Sequence, residues 1–424
     1  MKFKFWIFIL SRKARNFLSM QRSFMRDQAE KTDTRIVHAG RDSDAYGGGV
    51  NPPVHHLSTV IYPSVEKLVT RYDNITPDSR VMTYGTKGSP TSFALEDAVA
   101  ELEGGFRSIS FPSGLAAVAG ALMAFLKAGD HLLMTDSVYF PTREFCDSIL
   151  KRFGVEITYY PPCIGSDIEN MIRKNTRVIY TESPGSHTFE VQDIPAISKV
   201  AHLYQIKLLM DNTWASPVFF KPFAHGVDVS IQAATKYING HSDVMLGLVT
   251  TTREDWEQLR NCTWQLGQCS GPDDLYLTQR GLRTLGVRMK QHQNNGLQVA
   301  EWLKSRPEVR KVLHPALPDD PGHELWKRDF HGAGGLFGIE LEPVAPSMVQ
   351  AMLNRLKLFG MGFSWGGYES LIVPSDVQKD RLPGSWHFEG PLLRLSVGLE
   401  DPEDLIQDLE QGLCELAPQA GSPS

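Results

Sequence analysis

The stretch VDVSIQAATKYINGHSD, residues 227–243, joins an apolar segment to a lysine and a polar turn. Its apolar part, VDVSIQAA, predicts a short strand that is buried in a sheet. Lys236 follows just where this strand ends. Because burial of an ammonium group is costly unless the group is paired or neutral, the position of this lysine needs a chemical explanation.

Segments upstream of this stretch also predict short apolar strands, namely RSISF, HLLMT, VEITYY, RVIYTES and IKLLMDN. Helical segments such as LAAVAGALMAFLKAG and TREFCDSILKRFG separate them, and FALEDAVAELEGG precedes them as a helix that ends in glycine. Strands that alternate with helices of about ten to fifteen residues indicate right-handed crossovers and a mostly parallel, buried sheet. No G-x-G-x-x-G opens a helix after the first strand, so a dinucleotide-binding fold has little support.

A second alternating region follows a long polar helical stretch, roughly residues 273–305. It contains VRKVLHP, GLFGIELE, SMVQAMLNRLKLFG and PLLRLSVGLE, and it closes with the helix DPEDLIQDLEQGLCELA. A chain of 424 residues is too long for one simple core. The sequence therefore predicts an α/β fold, in which a large, doubly wound and mostly parallel sheet domain is followed by a smaller C-terminal α+β domain.

The composition is that of an ordinary globular protein, with 42% hydrophobic and 22% charged residues. The net charge of −6 and the lack of a long basic run beyond the N-terminus argue against nucleic-acid binding. The five cysteines form no C-x-x-C pair and have no metal-ligand spacing. Dispersed thiols suit a reducing compartment, so we expect a cytoplasmic protein without a metal site.

The first thirty residues differ from the rest of the chain because they are basic and contain no acidic residue before Asp27. Their uninterrupted apolar run, residues 5–10, is too short to span a bilayer and short for a signal peptide. A transit peptide is one alternative. The other alternative is that translation starts further downstream, at Met20 or Met25. We treat residues 1–31 as a disordered or dispensable arm.

Polar residues stand at the carboxyl ends of several predicted strands, which is where ligands collect in an open α/β sheet. FPSGLAA places Ser113 and Gly114 between a strand and a helix, where unpaired N–H groups form a phosphate cradle. A plain strand-to-helix turn is the alternative. DSVYFPT places Tyr139 just past another strand, where its ring either stacks on a flat ligand or simply packs.

Asp211 follows the apolar strand IKLLM directly. Lys236 follows the later strand VDVSIQAAT in the same way. A salt bridge between the two residues is one interpretation, but it leaves Tyr139 and the phosphate-type turn unexplained. Pyridoxal 5′-phosphate meets all four features, with a phosphate for Gly114, a ring face for Tyr139, a pyridinium nitrogen for Asp211 and an aldehyde for Lys236. A covalent bond to that aldehyde also explains why a lysine ends the strand.

Long motifs in a fixed order carry a family resemblance from about Thr32 to the C-terminal helix. They are YGTKGSPTSFALE, FPSGLAAV, TESPGS, DNTWASP, DVSIQAATKYINGHSD, TQRGLRTLGVR, HPALP, GHELWKRDF, FSWGGYESL and LLRLSVGLEDPEDLI. With these motifs the chain resembles the bacterial cystathionine β-lyases, in the Cys/Met-metabolism group of fold-type-I pyridoxal-phosphate enzymes. SWGGYESL, with Trp365, resembles the β-lyases more than the γ-synthases and γ-lyases of this group.

The resemblance implies a role for each residue that matches a family motif around the cofactor. Lys236 matches the lysine that binds the cofactor aldehyde, and Asp211 matches the partner of the ring nitrogen. Tyr139 matches the stacking tyrosine, which together with Lys236 is expected to act in catalysis. The phosphate is expected to receive backbone N–H groups of Gly114 and Leu115 and the hydroxyl of Thr235.

Further matches concern the substrate and the neighbouring subunit. Arg394 matches the arginine that holds the substrate α-carboxylate, a task suited to guanidinium, although taken alone it would more often be a structural ion-pair residue. Ser364 and Trp365 match residues that line the substrate side. Tyr84 matches a catalytic tyrosine donated to the neighbouring subunit's site, which implies an obligate dimer that is usually paired into a tetramer. Residues 32–85 are therefore expected to reach that subunit, with a cofactor-binding domain at 86–285 and a C-terminal domain at 286–424.

Two positions depart from the family pattern. The family places an arginine two residues after the tyrosine, where it holds the cofactor phosphate across the subunit interface, but this chain has Thr86 with Lys87 beside it. Either Lys87 supplies the charge, or backbone and hydroxyl groups hold the phosphate. Phe363 stands where a tyrosine is expected.

The resemblance implies a carbon–sulfur β-lyase that cleaves L-cystathionine to homocysteine, pyruvate and ammonia on the way to methionine, and that also acts on cystine and other cysteine S-conjugates. A cystathionine γ-synthase or a methionine γ-lyase is the alternative among enzymes. A cofactor-binding regulator with little catalysis is the alternative from another class. The intact Lys236, Asp211 and Arg394 argue against a regulator, as does the lack of a basic DNA-reading helix.

Overall fold

A computed structural model describes residues 30–73, 75–377, 381–382 and 387–416 of the chain. The predicted N-terminal arm lies outside the described residues except for its last two positions. The described part contains two sheets, and each sheet has its own flanking helices. No helix in these ranges combines the length and the apolar character that a membrane span needs.

The larger sheet has seven strands in the order β1-β7-β6-β5-β4-β2-β3. Strands β2 to β6 pair in parallel, whereas β7 pairs antiparallel with both β1 and β6. The prediction of a large, mostly parallel sheet is confirmed. The strands are β1 Arg107–Phe111, β2 His131–Thr135, β3 Glu156–Tyr160, β4 Thr176–Glu182, β5 Lys207–Asp211, β6 Val229–Gln232 and β7 Gly247–Thr251.

The strands of this sheet are continuous apolar runs because both of their faces are buried. In β5, Leu208 and Met210 pack into one hydrophobic cluster, and Leu209 between them packs into the other. Successive side chains of a strand point to opposite faces, so helices on both sides of the sheet produce an uninterrupted hydrophobic stretch. The same pattern explains why β4 and β6 were recognisable as strands.

The smaller sheet is antiparallel throughout and has the order β10-β11-β9-β8. A third hydrophobic cluster joins this sheet to the helices that cover it. The predicted second region is therefore confirmed as a small antiparallel domain. Its strands are β8 Val309–Leu313, β9 Leu336–Leu341, β10 Leu371–Ser375 and β11 Leu392–Ser396.

The helices connect the strands and cover the sheets. The long polar stretch predicted near residues 273–305 forms two helices, α9 and α10, with a short break between them. The α-helices are α1 Thr32–His38, α2 Val65–Val69, α3 Pro90–Glu103, α4 Gly114–Phe125, α5 Phe140–Phe145, α6 Ile194–Leu203, α7 Ser216–Phe219, α8 Trp256–Gln265, α9 Pro272–Leu282, α10 Leu285–Lys304, α11 His323–Asp329, α12 Pro346–Arg355 and α13 Pro402–Leu413. Shorter turns of helix lie at Gly85–Lys87, Cys146–Leu150, Pro162–Met171, Pro222–His225 and Cys414–Leu416.

Two strands were not recognised in the sequence, β7 and β10. Strand β7, GLVTT, follows a polar loop and is buried along its whole length, so it shows no alternation of polar and apolar residues. Strand β10, LIVPS, contains Pro374, a residue that argues against a strand because it lacks a backbone N–H. Both strands form through antiparallel pairing, β7 with β1 and β6, and β10 with β11.

Candidate active site

A cavity of about 350 Å³ opens at the carboxyl edge of the larger sheet, facing the smaller domain. The parallel strands β4, β5 and β6 all end at this edge, so the polar residues that follow them meet there. The structure brings together most of the residues singled out in the sequence. The wall of the cavity includes Gly114, Leu115, Tyr139, Asp211, Thr235, Lys236, Trp365 and Arg394.

One end of the cavity is formed by the start of α4. Ser113 caps this helix, because its Oγ accepts a hydrogen bond of 3.1 Å from the N–H of Ala116. The N–H groups of Gly114 and Leu115 in the first turn have no acceptor inside the helix. A Cβ atom on Gly114 would lie only 2.7 Å from the Cβ of Ala233, so glycine is required for this close approach. The helix start therefore suits a phosphate group.

Thr235 lies beside the same end of the cavity. Its hydroxyl oxygen accepts a hydrogen bond of 2.9 Å from the N–H of Leu246 and donates to the carbonyl oxygen of Leu246 at 3.2 Å. This pair of contacts joins the end of β6 to the segment that enters β7. The Thr235 hydroxyl is therefore held at the cavity wall. It can donate a hydrogen bond to a bound phosphate only if it releases the carbonyl oxygen of Leu246.

Tyr139 stands at the start of α5, with its ring on the cavity wall. Its backbone N–H donates a hydrogen bond of 2.8 Å to Oε2 of Glu182, the last residue of β4. No role of Glu182 was predicted from the sequence. A signal was present, because a carboxylate ends the apolar strand RVIYTE just as Asp211 ends the next one. Glu182 therefore anchors the backbone that carries the Tyr139 ring.

Glu182 and Asp211 lie side by side in the register of β4 and β5. Burial, followed by the charge of Asp211, raises the pKa of the Glu182 carboxyl well above its ordinary value. Burial also raises the pKa of Asp211, although its Oδ1 accepts a hydrogen bond of 2.9 Å from the N–H of Thr213. Two neighbouring carboxyls whose pKa values are both raised call for a cation or a proton in this place.

The alternative of a direct salt bridge between Asp211 and Lys236 is wrong, because no ion pair joins these two residues in the described part of the chain. The Lys236 Nζ instead donates a hydrogen bond of 3.0 Å to Ser364 Oγ and lies 5.2 Å from the centroid of the Trp365 ring. Burial and then the charge of Arg394 lower the pKa of Lys236 to about 8, although Asp211 acts in the opposite direction. A sizeable fraction of this amine is therefore neutral near physiological pH.

Arg394 lies on β11 of the smaller sheet and lines the cavity. Its Nη2 donates to the carbonyl oxygens of Phe363 at 2.8 Å and Ser364 at 3.2 Å. Its Nε is buried and has no hydrogen-bond partner among the described residues. Burial lowers the pKa of the guanidinium to about 10, which leaves it charged. A charged guanidinium that lines the cavity and is held by backbone carbonyl oxygens is suited to bind a carboxylate.

A buried ionic network around Arg381 ties the two domains together next to the cavity. Arg381, which lies between β10 and β11, donates hydrogen bonds of 2.8 Å to Asp136, Thr188 and Glu190. Asp136 precedes the turn that carries Tyr139, and it also accepts a bond of 2.7 Å from Arg143. Sequence reasoning missed Arg381 because its partners are distant in the chain.

Tyr84 and Thr86 do not line this cavity. Thr86 and Lys87 border a separate cavity, of about 110 Å³, which is formed with α8 and α9. The Lys87 Nζ lies 4.3 Å from the centroid of the Trp264 ring, and burial lowers the pKa of this lysine. The expected contribution of Tyr84 and Thr86 to a neighbouring subunit's site stays a prediction.

The residues of the cavity fit pyridoxal phosphate. The first turn of α4 suits its phosphate, the buried Asp211 carboxyl suits a protonated ring nitrogen, and the Lys236 amine lies in the same cavity. Nothing in the described ranges groups histidine, cysteine and acidic side chains into a metal site.

Comparison with known proteins identifies relatives over most of the chain. A sequence model for a family described as "Cys/Met metabolism PLP-dependent enzyme" matches residues 33–414. A putative cystathionine β-lyase of Rhizobium johnstonii is 49% identical over 386 residues, which cover 90% of this chain and 96% of the relative. Cystathionine β-lyase MetC of Escherichia coli is 44% identical over 91% of this chain and 99% of its own length.

Solved structures lead to the same group. The crystal structure of metB from Corynebacterium glutamicum superposes with a TM-score of 0.83 at 33% sequence identity. The match covers 92% of this chain and 99% of that chain. The similarity therefore extends over both sheets and the cavity between them.

Proposed function

The chain belongs to the family of Cys/Met metabolism PLP-dependent enzymes, and we propose that it is a carbon–sulfur β-lyase acting on L-cystathionine. The products are homocysteine, pyruvate and ammonia, and cystine and other cysteine S-conjugates are further substrates. The observation that carries this proposal is that one cavity contains Lys236, with its Nζ 5.2 Å from the centroid of the Trp365 ring, and Arg394 of the smaller domain. Relatives named cystathionine β-lyase, 42–49% identical to this chain, support it.

Pyridoxal phosphate, when bound, supplies an aldehyde that reacts with amines and a ring that withdraws electrons from the carbon next to the amine. We propose that Asp211 keeps a proton on the ring nitrogen, because its buried carboxylate stabilises a positive charge there. The first turn of α4 and Thr235 hold the phosphate, and Tyr139 packs against the ring. These contacts fix the orientation in which the reacting carbon meets Lys236.

Arg394 and Lys236 then act on different parts of the substrate. Arg394 binds the α-carboxylate and so places the α-hydrogen within reach of the Lys236 amine. As a neutral amine with a pKa of about 8, Lys236 can accept that proton near physiological pH. Ser364 and Trp365 hold the amine in position. Loss of the α-proton and departure of the thiolate from the β-carbon complete a β-elimination.

A product assay tests the function. With cystathionine we expect pyruvate, homocysteine and ammonia in equal amounts, and with cystine and an S-alkyl cysteine we expect pyruvate as well. A γ-lyase would instead release 2-oxobutyrate and cysteine from cystathionine, and a cofactor-binding regulator would release neither keto acid. Formation of 2-oxobutyrate as the main product would refute the β-lyase proposal.

We also propose that a second copy of this chain covers the N-terminal segment, in a dimer that pairs into a tetramer. This segment exposes large apolar side chains, with Ile61 at 90%, Val65 at 76% and Val69 at 67% exposure. Apolar surface of this extent is commonly buried by association. Tyr84 is half exposed and lies outside the cavity of its own chain, so a neighbouring site is the expected place for its ring.

We also propose that the cofactor-binding domain spans residues 86–285, after the N-terminal segment and before the C-terminal domain. A cytoplasmic location is a separate proposal. The free thiols of all five cysteines agree with a reducing compartment. Fractionation of cells that produce the tagged protein would check the location. Recovery in the periplasm or in an organelle would contradict it.

Thr86→Arg is expected to strengthen cofactor binding across the dimer interface. Threonine offers a phosphate one neutral donor, whereas arginine offers two parallel charged hydrogen bonds. A charged hydrogen bond contributes about 1.5–3 kcal/mol, so we expect roughly ten- to a hundredfold tighter binding. Titration of the apoprotein with pyridoxal phosphate measures this affinity.

Lys87→Ala is the matched control for this substitution. Because the Lys87 ammonium packs over the Trp264 ring, its removal is expected to leave the cofactor affinity within about twofold. Thr86 does not line the cavity of its own chain, so tighter binding by Thr86→Arg would have to arise between subunits. An unchanged affinity in Thr86→Arg, or a clear loss in Lys87→Ala, would contradict this assignment.

A further inference from the structure

His187 is a cavity-lining residue to which no role has been assigned so far. It lies in the loop 183–190 that follows β4, between Ser186 and Thr188. Its backbone has φ of 64°, in the left-handed region that residues other than glycine rarely adopt. Such a conformation persists only where the surrounding structure imposes it, and it is concentrated at ligand sites.

The loop around His187 is held from several sides. The N–H of Ser186 donates to the carbonyl oxygen of Ser137 at 2.8 Å, and the N–H of Gly185 donates to that of Glu190 at 2.9 Å. Arg381 binds the side chains of Thr188 and Glu190 on the far side of His187. The backbone is therefore fixed on both sides of the strained residue, and the ring has a defined position.

The two nitrogens of the His187 ring have different surroundings. Nδ1 lies 2.7 Å from the hydroxyl oxygen of Ser375, at the end of β10. Nε2 has no hydrogen-bond partner within the described ranges, so it is the nitrogen left for a ligand in the cavity. Burial and then the nearby charge of Arg394 lower the pKa of the ring to about 4, so the imidazole is neutral at physiological pH.

A neutral imidazole beside a cationic arginine is suited to a particular partner. When Nδ1 accepts the hydroxyl proton of Ser375, Nε2 carries the hydrogen and becomes a donor. A carboxylate has two oxygens and several lone pairs, so one guanidinium does not satisfy it. The wall of the cavity also includes Phe189, Trp214 and Leu336, whose side chains are mostly apolar.

We propose that His187 is a specificity-determining residue that binds the substrate α-carboxylate together with Arg394. The inference rests on the proposed function, in that the ligand is an α-amino acid. Arg394 supplies the charge, and His187 supplies an oriented neutral donor from the larger domain. A ligand that bridges the two residues therefore also bridges the two domains. The pair selects amino acids that carry a free α-carboxylate over their amides.

Ligand binding to the holoenzyme tests this role without any turnover. L-Alanine has no leaving group on its β-carbon, so its binding is not followed by elimination, and L-alaninamide is the analogue in which a neutral amide replaces the α-carboxylate. Dissociation constants for both are measured from the change in the absorption of the cofactor. We expect His187→Leu to weaken alanine binding by roughly ten- to a hundredfold and to leave alaninamide binding within about twofold.

His187→Asn is the conservative variant, since asparagine tolerates a positive φ and its amide can donate a hydrogen bond. It is expected to retain alanine binding within about fivefold of the parent. Ser375→Ala removes the group that orients the ring, and we expect an intermediate loss that is again confined to alanine. Equal losses for alanine and alaninamide in these variants would show that His187 only maintains the fold, and no loss for either ligand would show that it does not touch the carboxylate.

The test separates this inference from the proposed function. If the enzyme forms pyruvate but His187→Leu binds alanine as the parent does, the inference fails and the function stands. If no keto acid is formed but the alanine-specific loss is observed, the function fails and the carboxylate site stands.

Discussion

Lys236→Ala is expected to abolish β-elimination and to remove the absorption band of the covalently held cofactor. The substitution removes both the amine that binds the aldehyde and the base that accepts the α-proton. General base catalysis alone contributes about 10²–10⁴-fold, so we expect the rate to fall by at least about 10³-fold. The measurements are pyruvate formation from cystathionine and the visible spectrum of the purified protein.

A second lysine provides the control. Burial lowers the pKa of Lys221 to about 8, as in Lys236, but its Nζ donates to the carbonyl oxygens of Leu102 and Pro217, outside the cavity. Reduction of the holoenzyme with borohydride should fix the cofactor to Lys236 and leave Lys221 unmodified, as read by peptide mass spectrometry. Label on another lysine, or elimination by the Lys236→Ala variant, would overturn the assignment.

The low pKa of Lys236 has a consequence for pH dependence. A lysine reacts with an aldehyde only as the neutral amine, and the neutral fraction increases as the pH rises through the pKa. The pKa of the Lys236 amine is lowered from 10.5 to about 8 in the folded protein. Uptake of pyridoxal phosphate by the apoprotein should therefore accelerate up to about pH 8 and level off above it. An acceleration that continues to about pH 10 would show an ordinary lysine.

Arg394→Ala is expected to raise KM steeply while the spectrum of the bound cofactor stays intact. The variant removes the charged partner of the α-carboxylate, and the loss of such a partner costs about 2–4 kcal/mol. This cost corresponds to roughly thirty- to nine-hundredfold in kcat/KM. Steady-state kinetics with cystathionine measure the change.

Two further variants separate binding from structure, because Arg394 also holds the carbonyl oxygens of Phe363 and Ser364. Arg394→Lys keeps the charge but not the two-pronged geometry, so its kcat/KM should lie between those of the parent and the alanine variant. Arg310→Ala removes an arginine of the same sheet that pairs with Glu342 on the surface, and it should leave KM unchanged. An unchanged KM in Arg394→Ala would assign the arginine to structure.

The sequence by itself determined the strands that are buried on both faces and the chemistry at their ends. Hydrophobic runs such as IKLLM reflect local burial, so they are visible without any knowledge of the partner strands. Because parallel strands end at one edge, the positions of Tyr139, Asp211 and Lys236 along the chain were enough to predict a shared cavity. Arg394, Ser364 and Trp365 were reached only through the family resemblance.

Only the tertiary structure decided which groups touch in that cavity. The Lys236 Nζ meets Ser364 across 128 positions of sequence, and Arg381 meets Asp136 across 245. No local periodicity reports contacts of this kind, because they depend on how the two domains pack. For the same reason β7 and β10 were missed, since each is defined by its antiparallel neighbours. The ring of His187 and the anchor at Glu182 likewise gain their roles from burial and from partners on other strands, and these are properties of the folded chain.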